Sequence, residues 1–250
     1  MTRSSLYVAA LALASVLVQA APASAANYSI YVYGRGGWTT GTEYFGGMTG
    51  VNPRDYRWDS NDYLSRGAPG LKSYLDTYCT GSNNCYIACH SAGCALTGYV
   101  LDHYGCGWNI VWVNAAASAA GGSELANIGS WATGRNIDSD LRTGTMRGLY
   151  NHDDTCGETL YQFAGSKGSL WAGTLPGQDD EAVAYHSSGG WRSTASMCNP
   201  GDWFCDGTLP MGSSSSMFTR HTVYFRDDNE NYNHSGIIGP MKSDMTAYAR

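Results

Sequence analysis

The segment Cys85-Tyr-Ile-Ala-Cys-His-Ser-Ala-Gly-Cys-Ala-Leu96 limits the possible folds more than any other stretch of the chain. A short apolar run ends at His90-Ser-Ala-Gly93 and gives way at once to a helix-like pattern, which leaves room only for a sharp corner. A corner of that kind projects one hydroxyl, while the first turn of the helix offers backbone N–H groups to an anion. Ser91 therefore reads as an activated nucleophile. The match to G-x-S-x-G departs at its first position, where Cys89 stands in place of glycine, and cysteine is small enough to keep the reading.

Around this corner the chain alternates strand and helix. Tyr28-Ser-Ile-Tyr-Val-Tyr33 alternates β-formers and stops at Gly34-Arg-Gly-Gly37, a strand delivering a glycine loop. A second strand is expected at Tyr56-Arg-Trp58, and Leu71, Tyr74, Leu75 and Tyr78 predict a helix running from Pro69 to Tyr78. A strand then reaches Cys89. Beyond Ser91, the residues Leu96, Tyr99, Val100 and His103 mark a helix closed by Gly105, and Ile110–Val113 is a fresh strand. Thr145–Tyr150 and His221–Phe225 read as two more strands, followed by a helix from about Gly239. Between Cys156 and Arg220 the chain is rich in Gly, Ser and Trp without periodicity, and reads as a long loop excursion with a tip at Ser213–Ser216. The expected class is α/β: a mostly parallel sheet with helices on both faces, whose ligand binds at the carboxyl ends of the strands.

Arg3, the apolar run Leu6–Val18 and Ala23-Ser-Ala25 predict an export signal over residues 1–25, with a single catalytic domain over 26–250. The apolar run is shorter than the roughly 20 residues a membrane span needs, so the expected product is secreted. All 8 cysteines follow the signal, and an even count in an exported chain suggests disulfides. Cys79/Cys85 and Cys198/Cys205 are the expected local pairs, which leaves Cys89, Cys94, Cys106 and Cys156 around the corner. No paired C-x-x-C or H-x-x-x-H units occur, so no zinc site is expected, while Ca²⁺ at an acidic pair such as Asp153/Asp154, Asp179/Asp180 or Asp227/Asp228 stays open. A net charge of −6 without a basic stripe argues against nucleic acid as a partner.

A serine nucleophile needs a base, a carboxylate to orient that base, and donors for the oxyanion. His234, in Tyr232-Asn-His-Ser-Gly-Ile-Ile238, is the best-placed base, because it follows the last expected strand and opens an apolar run. His186 and His221 are the alternatives, and His90 is expected in a supporting place beside Ser91. The acid has three candidates: Asp180 in a polar turn anchored by Val183, Asp154 after an expected strand end, and Asp202 between Cys198 and Cys205.

From Tyr28 to Arg250 these features resemble an α/β-hydrolase of the secreted bacterial lipase and esterase type. Val32-Tyr-Gly-Arg-Gly-Gly37 resembles the V-H-G-x-G-G oxyanion loop, and Cys89-His-Ser-Ala-Gly93 resembles the nucleophile elbow. Asp180-Glu-Ala-Val-Ala-Tyr-His-Ser-Ser188 is similar to the D-G-L-V-x-x-x-S-S acid stretch, and Asn233–Ile238 to the histidine loop. Tyr33, Cys89 and Glu181 depart from the family residues at their positions. The resemblance implies Ser91 as nucleophile, Asp180 as acid, His234 as base, and the backbone N–H groups of Arg35 and Ala92 as oxyanion donors. It also implies a small-molecule or lipid ester as substrate, and no cofactor. A smaller lipase type would select Asp154 as the acid. Cys198–Cys205 with His221-Thr-Val-Tyr224 resembles the cutinase and acetylxylan-esterase loop, which would pair Asp202 with His221. An amidase or peptidase on the same triad, and a binding protein on a degenerate hydrolase fold, are the competing expectations.

Overall fold

The computed structural model describes residues 25–37, 45–165, 175, 179–188, 223–226 and 232–248. Within them, β1 (Asn27–Val32), β2 (Asn52–Tyr56), β3 (Asn84–His90), β4 (Ile110–Ala116), β5 (Leu160–Phe163) and β6 (Val223–Arg226) form one sheet in the order β2-β1-β3-β4-β5-β6. Every neighbouring pair is parallel. The helices are α1 (Leu64–Tyr78), α2 (Ala92–Tyr104), α3 (Glu124–Thr133), α4 (Asn136–Asp140), α5 (Thr143–Leu149), α6 (Tyr185–Ser188) and α7 (Ile238–Tyr248).

Successive strand residues point to opposite faces, and both faces are apolar. Ile30, Val32, Ile87 and Val113 turn one way and pack with Leu71 and Leu75 of α1 and Leu96 and Val100 of α2. Tyr31, Tyr86 and Trp112 turn the other way, onto Phe45 and onto Met241 and Met245 of α7. Each such side chain, removed from water, contributes about 1.5–3 kcal/mol, so two layers of helix sandwich the sheet. The chain leaves β1 toward β2 and returns past β1 to β3, so the strand order reverses between β1 and β3. Their carboxyl ends thus frame the crevice where ligands of such sheets bind.

Several expected boundaries move. Helix α1 begins at Leu64, and Pro69 lies inside it, because Leu64, Ala68, Leu71 and Leu75 are all buried on one face. That packing outweighs the hydrogen bond proline cannot make. The second strand is Asn52–Tyr56, ending where it was expected to begin. Thr145–Tyr150 is not a strand; Thr143–Leu149 forms helix α5, with Met146 as its buried residue. The strand beside β4 is instead Leu160–Phe163, inside the stretch expected to be irregular, where Val113 to Ala116 supply its partners. Disulfides join Cys79 to Cys85, Cys89 to Cys94 and Cys106 to Cys156. The expected Cys198/Cys205 pair, Asp202, His221, the Ser213–Ser216 tip and residues 1–24 lie outside the described residues. Among those described, no helix is long and apolar enough to cross a membrane.

Candidate active site

Strand β3 ends at His90 and α2 starts at Ala92, so Ser91 makes the whole corner by itself, at φ 54° and ψ −126°. A side-chain-bearing residue held there costs roughly 1–3 kcal/mol and persists only where its surroundings over-determine it. They do so here. The Ser91 N–H donates to the Ala116 carbonyl at 3.0 Å, and the Ser91 carbonyl accepts from Cys94 N–H at 3.0 Å and Ala119 N–H at 3.2 Å. The Cys89–Cys94 disulfide closes around the corner with its Cα atoms 5.0 Å apart. The loop after β1 presses on the same point: a Cβ on Gly93 would sit 2.4 Å from the Val32 carbonyl oxygen, and one on Gly34 2.7 Å from Ser91 Cβ. Only glycine allows either approach.

That loop is fastened from three sides. Trp58 donates its indole N–H to the Tyr33 carbonyl at 3.0 Å, and Gly36 N–H donates to Ser60 Oγ at 2.8 Å. Arg35 extends its guanidinium to Asp138, with Nε 2.6 Å from Oδ1 and Nη2 2.9 Å from Oδ2. Ala92 is the first residue of α2, so its N–H has no place in the helix ladder. Ala92 follows Ser91 directly, and Arg35 follows Gly34, which lies against Ser91.

Asp180 is fully buried, and its two oxygens do separate work. Oδ1 accepts from Ala182 N–H at 3.0 Å and Val183 N–H at 2.8 Å, holding its own turn, while Oδ2 accepts from His234 Nδ1 at 2.9 Å. His234 N–H also donates to the Asp180 carbonyl at 2.7 Å. Burial pushes the His234 imidazole down, but the Asp180 charge and hydrogen bond, with Glu181 behind them, outweigh it and raise its pKa above the ordinary value. His90 donates from Nε2 to the His234 carbonyl at 2.8 Å, with the two rings 4.7 Å apart. Burial, then the neighbouring His234 charge, pushes His90 down to about 3, so it serves as a neutral strut for the histidine loop.

The structure therefore brings Asp180, not Asp154, to His234. Asp154 lies beside the Cys106–Cys156 disulfide, its Oδ1 4.0 Å from Cys106 Sγ. His186 is also elsewhere, in a buried cluster that no sequence spacing pointed to. Glu124 Oε2 accepts from Ala184 N–H at 3.0 Å, Oε1 accepts from Ser187 Oγ, and His186 Nε2 and Arg147 Nη2 lie 3.3 Å and 3.5 Å from Oε1. Burial pushes Glu124 up, and burial with the Arg147 charge takes His186 down to about 4. This cluster ties the stretch that follows Asp180 to the start of α3. Asp138, Ser60, Trp58 and Glu124 were all missed, because each acts across a long sequence separation.

Ser91, His234, Gly34 and Arg35 line one cavity of about 760 Å³. Leu125, Ala126, Leu141 and Val183 add apolar wall, and the Arg35–Asp138 pair a polar one. A hydroxyl at a strained corner and an oriented imidazole around one space suit transfer of an acyl group.

No protein-family model and no curated protein sequence matches the chain. Among solved structures it is similar to Bacillus licheniformis lipase BlEst2. The propeptide form superposes with a TM-score of 0.62 at 15% identity, over 92% of this chain and 52% of that one. For the mature form the TM-score is 0.58 at 15% identity, over 90% of this chain and 94% of the other. The chain thus spans about half the length of the propeptide form and nearly all of the mature one. With the parallel sheet and its order, these likenesses show an α/β-hydrolase fold.

Proposed function

We propose that this protein is a secreted serine hydrolase that cleaves carboxylic esters through an acyl-enzyme. The observation that carries the reading is the Asp180–His234 pair, 2.9 Å apart, with the imidazole lining the cavity that holds Ser91. In the proposed cycle His234 Nε2 takes the Ser91 Oγ proton as Oγ attacks the ester carbonyl, and returns it to the departing alcohol. Asp180 keeps the proton of His234 on Nδ1, which leaves Nε2 free to act as base. The N–H groups of Arg35 and Ala92 donate hydrogen bonds to the developing oxyanion, and water then repeats the sequence to release the acid. No cofactor takes part. The similar BlEst2 structures are those of a lipase, which agrees with this chemistry, and the apolar cavity wall suits the acyl part of a small-molecule or lipid ester. An export signal over residues 1–25 and a single catalytic domain over 26–250 complete the proposal, and the three disulfides among the described residues fit an oxidising compartment.

The test is hydrolysis of short p-nitrophenyl esters by the wild type and by Ser91→Ala. The expected result is turnover by the wild type and a loss of about 10³-fold or more in the variant, together with covalent labelling of Ser91 by a fluorophosphonate. Ester turnover by Ser91→Ala at the wild-type rate would sink the proposal, and a wild type that neither turns over ester nor takes the label would favour a binding protein instead.

A further inference from the structure

Beyond one turn hydrogen bond, from Gly37 N–H to the Gly34 carbonyl at 3.2 Å, the oxyanion loop has little stiffness of its own. Three of the four residues from Gly34 to Gly37 are glycine, with Gly36 at φ +70°, and glycine gives up more conformational freedom on ordering than any other residue. A backbone donor on such a loop points steadily only if something outside the loop holds it. The Gly36 and Tyr33 backbones are caught by Ser60 and Trp58, on the side of the loop that faces β2 and α1. At Arg35 itself, the residue whose N–H would meet the oxyanion, the fastening is the guanidinium.

Its partner, Asp138, lies 103 residues along the chain on the short helix α4. The carboxylate is almost entirely buried, receives both arms of the guanidinium, and also accepts from Thr133 Oγ at the end of α3. A two-bond fork between planar groups fixes orientation as well as distance, which a single ammonium contact does not. The Asp138 N–H donates to the Arg135 carbonyl at 3.2 Å, so the acceptor sits in a turn that is itself tied down. Nothing in the chemistry of ester cleavage calls for a paired ion at this wall of the cavity. The pair anchors the Arg35 side chain on Asp138, while the preceding residue, Gly34, lies against Ser91.

Resting on the serine-esterase reading, we propose that Asp138 is a positioning residue, which acts through the Arg35 guanidinium to aim the Arg35 backbone N–H at the oxyanion. The donor is a main-chain group, so the Arg35 side chain is only the handle by which Asp138 holds it.

The experiment compares Asp138→Asn, Arg35→Met and the double variant in the full oxidised chain, using p-nitrophenyl butyrate. Inhibition by an alkyl trifluoromethyl ketone is measured beside it, because the tetrahedral adduct of that ketone places an oxyanion against the same donors. The expected result is a kcat about 10- to 100-fold lower in each variant with KM within about twofold of wild type, since a misplaced donor is felt in the transition state alone. Affinity for the ketone falls by the same factor, and the double variant is no worse than the worse single one, because both changes release one clamp. Folded variants with unchanged kcat, a loss carried by KM, or losses that multiply would overturn the assignment. Should Asp138→Asn fail to fold, Arg35→Lys carries the test: it keeps the charge and loses the fork, and it is expected to show a smaller loss with the same kcat signature. The two readings fail separately. A fully active Ser91→Ala removes the esterase itself, whereas an inactive Ser91→Ala beside a fully active Asp138→Asn removes only this clamp.

Discussion

His234 is held between two opposed influences, and its usefulness as a base depends on which one prevails. Burial disfavours the imidazolium, whereas the Asp180 carboxylate favours it by charge and by the 2.9 Å hydrogen bond to Nδ1, and the net shift is upward. Protonated His234 cannot take the Ser91 proton, so kcat/KM should fall as pH drops through a value above the ordinary histidine pKa of 6.5. Asp180→Asn removes the larger of the two charges that oppose burial and leaves only Glu181 against it, so the acid limb of the profile should move to lower pH. The plateau should fall by roughly 10³–10⁴, because an amide can donate to Nδ1 and so favours the wrong tautomer. A pH–rate profile of the variant checks both effects; a limb that stays in place, or an undiminished plateau, would take Asp180 out of the pair. Asp154→Asn is expected to change neither, since Asp154 sits at the Cys106–Cys156 bridge.

The corner formed by β3, Ser91 and α2 is closed by a disulfide spanning 5 positions, whereas Cys106–Cys156 spans 50. Chain entropy makes the longer loop the larger stabiliser, by about 4 kcal/mol against about 2 kcal/mol for the shorter one. Function should rank them the other way. The short bridge holds the strained residue that carries the nucleophile, while the long one braces α2 and β4 against the turn before β5. Urea melts and ester kinetics on Cys89→Ala/Cys94→Ala and Cys106→Ala/Cys156→Ala should therefore show a smaller stability loss and a larger loss of kcat for the first pair. The opposite ranking of kcat would mean that the corner holds its shape without the bridge. The same corner was legible in the sequence because strand, serine, helix and both cysteines lie within twelve contiguous residues. Helix α5 was not legible, since Thr145-Met-Arg-Gly-Leu-Tyr150 is too short for its apolar residues to separate a period of two from one of 3.6, and sheet pairing decided for Leu160–Phe163 instead.

Across the whole molecule, the site is assembled by contacts between residues far apart in sequence: 54 positions from Asp180 to His234, 103 from Arg35 to Asp138, and 144 from His90 to His234. Ser91 and His234 were legible from the residues around them, and the resemblance selected Asp180 from three candidate acids. Asp138 and Glu124 carry no local pattern, and only the folded sheet brings them to the loops they hold. The balance of charge over the fold is likewise visible only in three dimensions, and Glu158, in the turn before β5, gives it a clean test. Burial alone pushes its carboxyl up to about 7 from an ordinary 4.5. Between those two values the folded chain keeps a proton that the unfolded chain has released, so this residue makes stability fall as pH rises from 4.5 toward 7. Glu158→Gln removes the titrating group and keeps the shape. Thermal melts should show the variant close to wild type at about pH 4 and more stable than wild type at about pH 8, with the gap opening between the two pKa values. A gap that is constant with pH, or one that opens on the acid side, would show that Glu158 ionises in the folded protein at least as readily as in the unfolded chain.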